Sequence, residues 1–360
     1  AVTNALEFKG SGKETINWKI RPWLISRQRY WGTPIPMIHC EDCGVVAVPE
    51  QDLPVELPTD VAFGQGNPLE TSEAFLNVDC PDCGKAARRE TDTMDTFVDS
   101  SWYFMRFTDA LNDEKCFDAD VANHFMNVDF YCGGIEHAQM HLIYARFYTK
   151  ALRDLGLHSI DEPFKELLCQ GMVNSPAPWC DSCQLTLSVA HAGSPCPHCG
   201  SELSERSAKM SKSLGNTVSP GLMIEQYGAD TVRLFILFAA NPTAGMDWSD
   251  LGIASNHRVM IQMASMPDKL LGWGKSPSSM DTWMLARLKQ RCAEFQQAMD
   301  VFDLRRAVEI SHYDLIKDIN WYTRRGGENA EIGVQILKSW THLVSVSTPH
   351  LAEEWWQQIG

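Results

Sequence analysis

Two lysines stand three positions apart in a string of small residues, Lys209-Met210-Ser211-Lys212-Ser213-Leu214-Gly215-Asn216. In a mobile loop, two ammonium groups at this spacing can bind the phosphates of a nucleotide while charge moves onto a leaving pyrophosphate. Such groups act by electrostatic stabilisation of a transition state. Two lysines alone are more typical of an ordinary solvated basic loop, so the pair needs the rest of the string to carry a chemical meaning.

Eight of the twelve cysteines fall into four C-x-x-C pairs, a spacing that favours metal over disulfides in a chain of this size. Two facing pairs supply four thiolates in the tetrahedral arrangement of structural zinc, with no open position for chemistry. The alternative is a ribbon whose metal is vestigial or absent. The first set has thirty-six residues between its pairs and the second has twelve; the sets are Cys40, Cys43, Cys80, Cys83 and Cys180, Cys183, Cys196, Cys199.

The composition limits the class of protein. A net charge of −15 and a pI near 5.1 argue against a protein that coats nucleic acid non-specifically, so any RNA contact must be local. The sequence has neither a run of about 18 apolar residues nor a signal-peptide pattern, and position 1 is Ala. These features predict a cytoplasmic protein, present here as a fragment of a longer chain.

The elements that would position the lysines follow an α/β pattern. A strand is predicted over 128–132, followed by Gly133-Gly134 and a helix over 136–155. A second apolar strand is predicted over 167–173, with Gly171 inside it, before the second cysteine set interrupts the chain. This alternation favours a parallel sheet with insertions.

The last hundred residues are different, because apolar residues recur there every three to four positions. This spacing predicts helices over 281–299, 303–321 and 331–346, with a Gly-, Ser- and Pro-rich break over 267–279. The sequence therefore predicts a helix bundle from about residue 254 onward.

The string around Lys209 matches the KMSKS loop of class I aminoacyl-tRNA synthetases, and other segments resemble the leucyl-tRNA synthetases of that class. Residues 25–36 resemble the segment that follows the editing insertion in the leucine, isoleucine and valine enzymes. The segments 95–104 (DTFVDSSWYF), 131–140 (YCGGIEHAQM) and 168–173 (LCQGMV) are similar to the leucine enzyme, and 320–325 (NWYTRR) is similar to its anticodon-binding bundle.

The resemblance implies an α/β fold, namely the second half of a Rossmann-type nucleotide-binding domain with zinc-ribbon insertions, followed by an α-helical bundle. The expected domains are a connector from an upstream editing domain (1–18), the catalytic half-domain with the first cysteine set (19–174), a zinc-ribbon insertion (175–204), the KMSKS loop and stem-contact region (205–253), and a truncated anticodon-binding domain (254–360).

The resemblance also implies residue roles. Lys209 and Lys212 would be catalytic. A Gly-Gly turn lets backbone approach a ligand closely, a helix beginning near Glu136 would offer its positive end, and the Glu136 carboxylate can accept hydrogen bonds from ribose hydroxyls. The expected ATP contacts are Gly133, Gly134, Glu136, Met172, Val173, Lys209, Met210, Ser211, Lys212 and Ser213, and the expected leucine contacts are Phe97, Ser100, Tyr103, Tyr131, His137 and His141.

The two histidines allow other interpretations. His137 and His141 have the spacing of zinc ligands in H-E-x-x-H proteases, but Ala138 stands where the general-base Glu would be. A satisfied buried histidine pair is the second alternative. The resemblance places both histidines at the leucine side chain, in a pocket that separates one methylene by only about 1–3 kcal/mol and therefore calls for editing.

One class I feature is missing, because none of the eleven histidines pairs with another three positions away, as the H-I-G-H motif requires. The chain is a fragment, a subunit of a split enzyme, or an inactive paralogue, and its start at Ala1 and end at Gly360 favour the fragment. The expected function is leucine-tRNA ligation with ATP, Mg²⁺ and structural Zn²⁺, with L-leucine, tRNA(Leu) and the missing N-terminal half as partners. The alternative is a non-catalytic zinc-stabilised paralogue that binds tRNA or a protein.

Overall fold

The computed structural model describes residues 2–16, 24–64 and 66–359 of the 360-residue chain. The predicted boundary at residues 18–19, and both terminal residues, lie outside the described residues. Within the part that is described, the predicted connector contains a short exposed helix, Val2–Phe8. No helix in these ranges is long and apolar enough to span a membrane.

The strands are short and are interrupted by many turns. In chain order they are β1 (Ser26–Arg27), β2 (Met37–Cys40), β3 (Gly44–Ala47), β4 (Asn77–Asp79), β5 (Ala86–Arg89), β6 (Thr93–Met94), β7 (Val128–Gly134), β8 (Phe164–Gln170), β9 (Val173–Cys180), β10 (Leu185–Thr186), β11 (Ser204–Lys209) and β12 (Met246–Asp247).

The α-helices become longer towards the end of the chain. They are α1 (Val2–Phe8), α2 (Glu73–Leu76), α3 (Thr96–Ser100), α4 (Tyr103–Arg106), α5 (Ala119–Phe125), α6 (His141–Asp154), α7 (Pro220–Tyr227), α8 (Ala229–Ala239), α9 (Asp250–Ala264), α10 (Met266–Leu271), α11 (Ser279–Asp300), α12 (Leu304–Glu309), α13 (Leu315–Arg324), α14 (Ala330–Ser345) and α15 (Pro349–Ile359).

The chain divides into two compact units, which we describe separately. The first unit comprises Ala1–Asp129 and Ala138–Lys165. It contains an antiparallel four-stranded sheet in the order β3-β2-β5-β4, which carries the first cysteine set, and the β1–β6 pair. A second core in this unit packs Phe104 and Met105 of α4 against Phe117, Ala122 and Ala145.

The second unit comprises Phe130–His137 and Glu166–Gly360. Here β9 is central, because β10 and β11 pair with it in antiparallel fashion and β12 pairs with it in parallel. β7 is the hydrogen-bonded neighbour of β8 in a separate two-stranded sheet. A single parallel sheet is therefore not found among the described residues. β9 leads directly into the second cysteine set, so the strand that returns from that set, β11, becomes its antiparallel partner.

Gly171 connects β8 to β9 at a point where no side chain fits. A Cβ atom on Gly171 would lie 2.1 Å from the backbone oxygen of Ala244, and the Gly171 N–H donates to Pro242 O at 2.9 Å. Two residues after Ala244, the Met246 N–H donates to Met172 O, and this hydrogen bond starts the pairing of β12 with β9. Glycine is required here by the close passage of two backbones, an example of its use where chains nearly touch.

The helix bundle confirms the predicted helices. α11 begins after a capping box formed by Ser278 and Asp281, which satisfies the first backbone N–H groups. The run predicted over 303–321 is helical from Leu304 onward but has a π turn, Ile310–Asp314, between α12 and α13. The predicted break was too long, because Pro267 is the second residue of α10, where its missing N–H costs nothing. The core is built around large buried side chains such as Tyr322, Trp340 and Trp355.

Candidate nucleotide site and cysteine clusters

The β9–β11 hairpin brings two of the predicted ATP segments together. Lys209, the last residue of β11, pairs with Asn174 of β9, and the Met210 N–H donates to Val173 O at 3.1 Å. The backbone of Met172 and Val173 therefore lies beside the start of the lysine loop. Both segments belong to the second unit.

The buried Asn216 side chain holds the lysine loop, which we define as residues 209–216. The Asn216 side chain accepts from the Ser211 N–H at 2.9 Å and contacts the carbonyl oxygens of Ser175, Ala208 and Lys209 at 3.3–3.4 Å. Asn216 is only 5% exposed, whereas Lys212 and Ser213 are exposed. Hydrogen bonds from Asn216 thus hold the backbone of the loop while its lysines face solvent.

Asn216 is a site residue that sequence reasoning did not assign. Gly215 before it has φ +71°, and the Leu214 N–H donates to Ser211 Oγ, so the last four residues of the loop form tight turns. A Gly-Asn pair at the end of a Ser-rich segment is a turn signal, because asparagine hydrogen-bonds nearby backbone groups. That signal was present in the sequence.

The predicted Gly133-Gly134 turn is instead the end of strand β7, and the 3-10 segment that follows it places Glu136 against the lysine loop. The Glu136 Oε1 atom lies 3.0 Å from Lys209 Nζ, although the two residues are 73 positions apart, and their side chains are 38% and 50% exposed. A hydrogen bond from its own backbone N–H, followed by the contact with Lys209, lowers the pKa of Glu136. Its carboxylate also covers Gly134, where an added Cβ would come within 2.6 Å of Glu136 Oε2.

The helix predicted from Glu136 begins later. Residues Ile135–Gln139 form a 3-10 turn, and α6 begins at His141. Met140, with φ −125° and ψ −103°, interrupts the helical backbone between them. Glu136 therefore does not lie at an α-helix N-terminus, and His137 and His141 do not share a helix face, which removes the protease-like zinc arrangement.

The predicted leucine contacts are divided between the two units. In the first unit, Ser100 Oγ lies 3.4 Å from His141 Nδ1, and the Phe97 ring stacks on Tyr144 with a centroid distance of 4.9 Å. Tyr103 packs edge-on against Phe104 and Phe107 in the same unit. Tyr131 and His137 belong to the second unit. The structure thus brings Phe97, Ser100 and His141 to one helix pair, α3 and α6, and leaves the complete pocket a prediction.

The two cysteine sets have the geometry of four-thiolate metal sites. All sulfur atoms of each set lie within 4.8 Å of one another. Individual Sγ–Sγ distances are 3.6 Å for Cys40–Cys83, 3.4 Å for Cys180–Cys199 and 4.0 Å for Cys183–Cys196. Four sulfurs at about 2.3 Å from a tetrahedral zinc ion lie about 3.8 Å apart, so both sets fit that ion. All twelve cysteines are free thiols.

Hydrogen bonds within each set shift the pKa values of its thiols in opposite directions. In the first set, backbone N–H groups of Cys43 and Asp42 lower the pKa of Cys40 to about 7, while the Cys83 thiol raises the pKa of Cys43 to about 12. In the second set, Ser201 lowers the pKa of Cys199 to about 6 and Cys199 raises that of Cys183 to about 12. Four thiolates cannot form together at neutral pH without a compensating positive charge.

Three of the four cysteine turns end in glycine with a left-handed backbone. Gly44, Gly84 and Gly200 have φ values of +78°, +70° and +74°. In the fourth turn Gln184 takes this position with φ +51°, a conformation that is unfavourable for a residue with a side chain. The second cysteine set therefore contains one strained turn.

Comparisons with known proteins agree with this fold and site. The family described as tRNA synthetases class I (I, L, M and V) matches residues 9–177 and 200–249, and the anticodon-binding domain of tRNA ligase matches residues 281–360. The chain belongs to the class I tRNA synthetases (I, L, M and V). The stretch that the synthetase match omits, 178–199, contains the whole second cysteine set.

Within this family, individual relatives that match the whole chain are leucine enzymes. The chain is 40% identical to a leucine-tRNA ligase of Crocosphaera subtropica and 41% identical to one of Nostoc sp., in each case over all of this chain and 43% of the relative. A LeuRS of Agrobacterium radiobacter K84, solved as a ternary complex with tRNA and LeuAMS, is 34% identical with a TM-score of 0.77, and the match covers all of this chain and 44% of that one. The predicted resemblance to leucyl-tRNA synthetases is confirmed.

A more distant structure shares only the fold. Mycobacterium tuberculosis methionyl-tRNA synthetase bound by methionyl-adenylate is 15% identical with a TM-score of 0.51 over 78% of this chain and 53% of its own. The chain thus spans less than half the length of the leucine-tRNA ligases it matches. The predicted fold class, a class I α/β domain with cysteine ribbons followed by a helix bundle, is confirmed.

Proposed function

We propose that this chain forms part of a leucine-tRNA ligase that activates leucine with ATP and transfers it to tRNA(Leu). The observation that carries the proposal is the contact between Lys209 and Glu136. It brings the lysine loop and the Gly133-Gly134 end of β7 to one place in the second unit, with exposed side chains that a ligand can reach. The identity to leucine-tRNA ligases over the whole chain supports the choice of amino acid.

In the first step, the leucine carboxylate attacks the α-phosphorus of ATP. A carboxylate oxygen–phosphorus bond forms, the bond to the bridging oxygen breaks, and pyrophosphate leaves with Mg²⁺. Lys209 and Lys212 stabilise the charge that develops on the leaving pyrophosphate. In the second step, a terminal ribose hydroxyl of tRNA attacks the leucyl carbonyl, AMP leaves, and leucine becomes an ester.

The Lys209–Glu136 contact leaves both groups with hydrogen-bonding capacity for a nucleotide. The Lys209 ammonium has three N–H donors, so those that do not face Glu136 can bind pyrophosphate oxygens. The Glu136 carboxylate can likewise accept hydrogen bonds from the two ribose hydroxyls. A hydrogen bond from the Met210 N–H to Val173 O already joins the lysine loop to β9. Met172, Val173 and Met210 would form the apolar surface that contacts adenine.

The leucine pocket is proposed to consist of Phe97, Ser100, Tyr103, Tyr131, His137 and His141. Aromatic rings suit an aliphatic side chain, and the Ser100–His141 contact fixes one polar boundary. Such a pocket discriminates against one methylene by only about 1–3 kcal/mol. A separate editing activity is therefore part of the proposal for the complete protein.

The cysteine clusters are proposed to hold one Zn²⁺ each. Their ligands would be the four thiolates of each set, and the ion would supply folding stability and no catalytic step, because four protein ligands complete its coordination. Removal of the metal by a chelator should therefore lower the stability of the fold, and any loss of activity should follow from that.

Completion of the site by the first half of a class I nucleotide fold, in cis or in trans, is also part of the proposal. This chain has no histidine pair three positions apart. We expect the isolated chain not to exchange pyrophosphate into ATP with leucine present. Joining it to the residues that precede the matched segment in its relatives should restore exchange.

The same assay tests the alternative of a non-catalytic paralogue. Leucine-dependent exchange by the completed protein supports the ligase. Exchange by the isolated chain would show that the missing half is not needed, and its absence from the completed protein, with tRNA binding retained, would favour the paralogue.

A further inference from the structure

A short turn within residues 178–199, which we call the cysteine insertion, contacts the lysine loop. The turn, Val189–His191, is a 3-10 helix between the two C-x-x-C pairs of the second set, and the Val189 N–H donates to Leu214 O at 2.8 Å. Leu214 belongs to the lysine loop and lies two positions after Lys212. A backbone hydrogen bond therefore joins the cysteine insertion directly to the loop that carries the lysines.

The turn and the loop also pack closely at the next residue. Gly215 has φ +71°, and a Cβ atom added to it would lie 3.0 Å from Val189 Cγ2. This separation is shorter than the favourable distance between two carbon atoms, about 3.5–4.0 Å. Glycine is required here both by its backbone conformation and by the valine side chain. Two consecutive residues of the loop, Leu214 and Gly215, thus contact Val189.

The core of the cysteine insertion fixes the position of this turn. Leu187, two residues before Val189, is buried, and its N–H donates to Pro178 O at 2.8 Å. Its side chain belongs to a small core that also contains Cys180, Cys196 and Leu203. The donor at Val189 is therefore held by the same buried residues that bring the cysteines of the second set together.

Val189 and Asn216 hold different parts of the lysine loop. The Asn216 side chain accepts from the Ser211 N–H, on one side of Lys212, whereas the Val189 N–H donates to Leu214 O on the other side. Lys212 is exposed and lies between these two points of attachment. Because two residues of chain span at most about 7 Å, the attachment at Leu214 restricts where the backbone of Lys212 can lie.

This contact is not part of what the synthetase family match covers. The match ends at residue 177 and resumes at residue 200, so it includes the whole lysine loop and omits Val189. The support that the cysteine insertion gives to the loop is therefore a feature of this chain, and the family match does not imply it.

We propose that Val189 is a positioning residue, through which the cysteine insertion holds Lys212 where charge develops on the leaving pyrophosphate. This inference rests on the proposed function. Charges that are already in place stabilise a transition state without reorganisation at the moment of reaction. Loss of the Val189 hydrogen bond should therefore slow adenylate formation and leave the affinity for ATP nearly unchanged, because the loop then acts less well on the transition state only.

The test uses the complete synthetase that contains this chain, with three variants. Val189→Pro removes the donor, and it suits the first position of the turn because Ser188 before it has ψ 146°, in the range that proline favours for its predecessor. Val189→Ala keeps the N–H group and shortens only the side chain. Glu50→Pro places proline at the first residue of another 3-10 turn, Glu50–Asp52 in the first unit, and is the matched control.

Single-turnover formation of leucyl-adenylate is measured together with ATP affinity, melting temperature, zinc content and hydrogen exchange. We expect Val189→Pro to slow adenylate formation about two- to tenfold, the range given by the net loss of one hydrogen bond, with ATP affinity within roughly twofold. Exchange of the Gly215 amide, which donates to Ser211 O at 3.1 Å, should accelerate in this variant. Zinc content should not change. Val189→Ala and Glu50→Pro should form adenylate within about twofold of the unsubstituted rate.

Unchanged adenylate formation in Val189→Pro, or an equal slowing in Val189→Ala, would overturn the inference. One measurement needs no variant, because a Val189 amide that exchanges in the unsubstituted enzyme as fast as an unbonded amide would overturn it as well. Absence of adenylate formation in the unsubstituted enzyme would instead overturn the proposed function. The exchange of the Val189 and Gly215 amides would then still decide whether Val189 holds the loop.

Discussion

The lysine loop and the cysteine clusters use polar side chains in opposite ways. Each cysteine set closes on itself, with its four sulfurs within 4.8 Å of one another and one residue of every pair buried. The lysine loop is held by the buried Asn216 side chain, which hydrogen-bonds backbone groups, and leaves Lys209 and Lys212 exposed. Four thiolates that all face one another leave no group for a ligand and can only stabilise the fold, whereas a held backbone with exposed side chains can act on a ligand. Substitutions in the two regions should therefore affect different quantities.

The largest effect is expected at the second cysteine set. Cys180→Ser removes a fully buried ligand, and structural zinc contributes about 10–16 kcal/mol to the folding of small zinc peptides. We expect the bound zinc to fall from two ions to one per chain and the melting temperature to drop substantially. Cys116→Ser, an exposed thiol outside both sets, is the matched control. Zinc content that is the same in both variants would assign the metal elsewhere.

The next effect is expected at Asn216, the buried side chain that holds the lysine loop. Asn216→Ala leaves the Ser211 N–H without its acceptor, a loss of about 1–3 kcal/mol for a buried hydrogen bond. Hydrogen exchange at the Ser211 amide should accelerate roughly five- to a hundredfold, and adenylate formation should slow because the lysines are no longer aimed. Asn216→Asp keeps the acceptor and should protect Ser211 better than Ala. Equal protection in all three proteins would show that Asn216 does not hold the loop.

Gly133→Ala should change ligand binding without changing the fold. An added Cβ meets no protein atom within 4 Å, so the protein itself tolerates the methyl group. If the nucleotide approaches this backbone, the methyl group should weaken ATP binding by about tenfold in the completed enzyme, which corresponds to about 1.4 kcal/mol. The measurement is an ATP titration together with a melting curve. Unaltered ATP affinity would remove Gly133 from the proposed nucleotide contacts.

The smallest effect is expected at Gln184. Gln184→Gly places the residue of the other three cysteine turns at the one strained position, and relief of a left-handed backbone is worth about 1 kcal/mol. The melting temperature should rise by a few degrees with no change in zinc content or in exchange activity. Gly200→Ala, the reverse change at φ +74°, should lower the melting temperature. A decrease for Gln184→Gly would mean that the Gln184 side chain contributes more than its backbone costs.

The sequence predicted the local chemistry better than the connections between segments. The C-x-x-C spacing was sufficient to predict which cysteines lie together in each set, because tetrahedral metal binding requires two such pairs to face each other. The periodicity of apolar residues was sufficient to predict helices α11 and α14, because each of them buries one face. The start of α6 was misplaced, because the interruption at Met140 depends on backbone angles that have no proline or glycine signal.

The contacts that assemble the site were beyond sequence reasoning. The Lys209–Glu136 contact spans 73 positions, and a lysine and a glutamate at that separation carry no pattern. Asn216 had a turn signal, but only the structure shows that its amide contacts three carbonyl groups. The choice of a control lysine also needs the structure, because Lys150 binds Asp161 and Glu162 and its loss would remove those contacts. Lys289, an exposed lysine of α11, is the better control.

Single-turnover formation of leucyl-adenylate by the completed enzyme, at saturating ATP and leucine, tests the role of the lysine loop most directly. If Lys212 acts on the transition state, Lys212→Ala should slow this step about a hundred- to a thousandfold, which corresponds to about 3–4 kcal/mol, while ATP binding and melting temperature change little. Lys209→Ala should behave in the same way, and Lys289→Ala should have almost no effect. If Lys212→Ala slows the step less than about threefold, or if Lys289→Ala slows it equally, the loop does not carry the chemistry assigned to it.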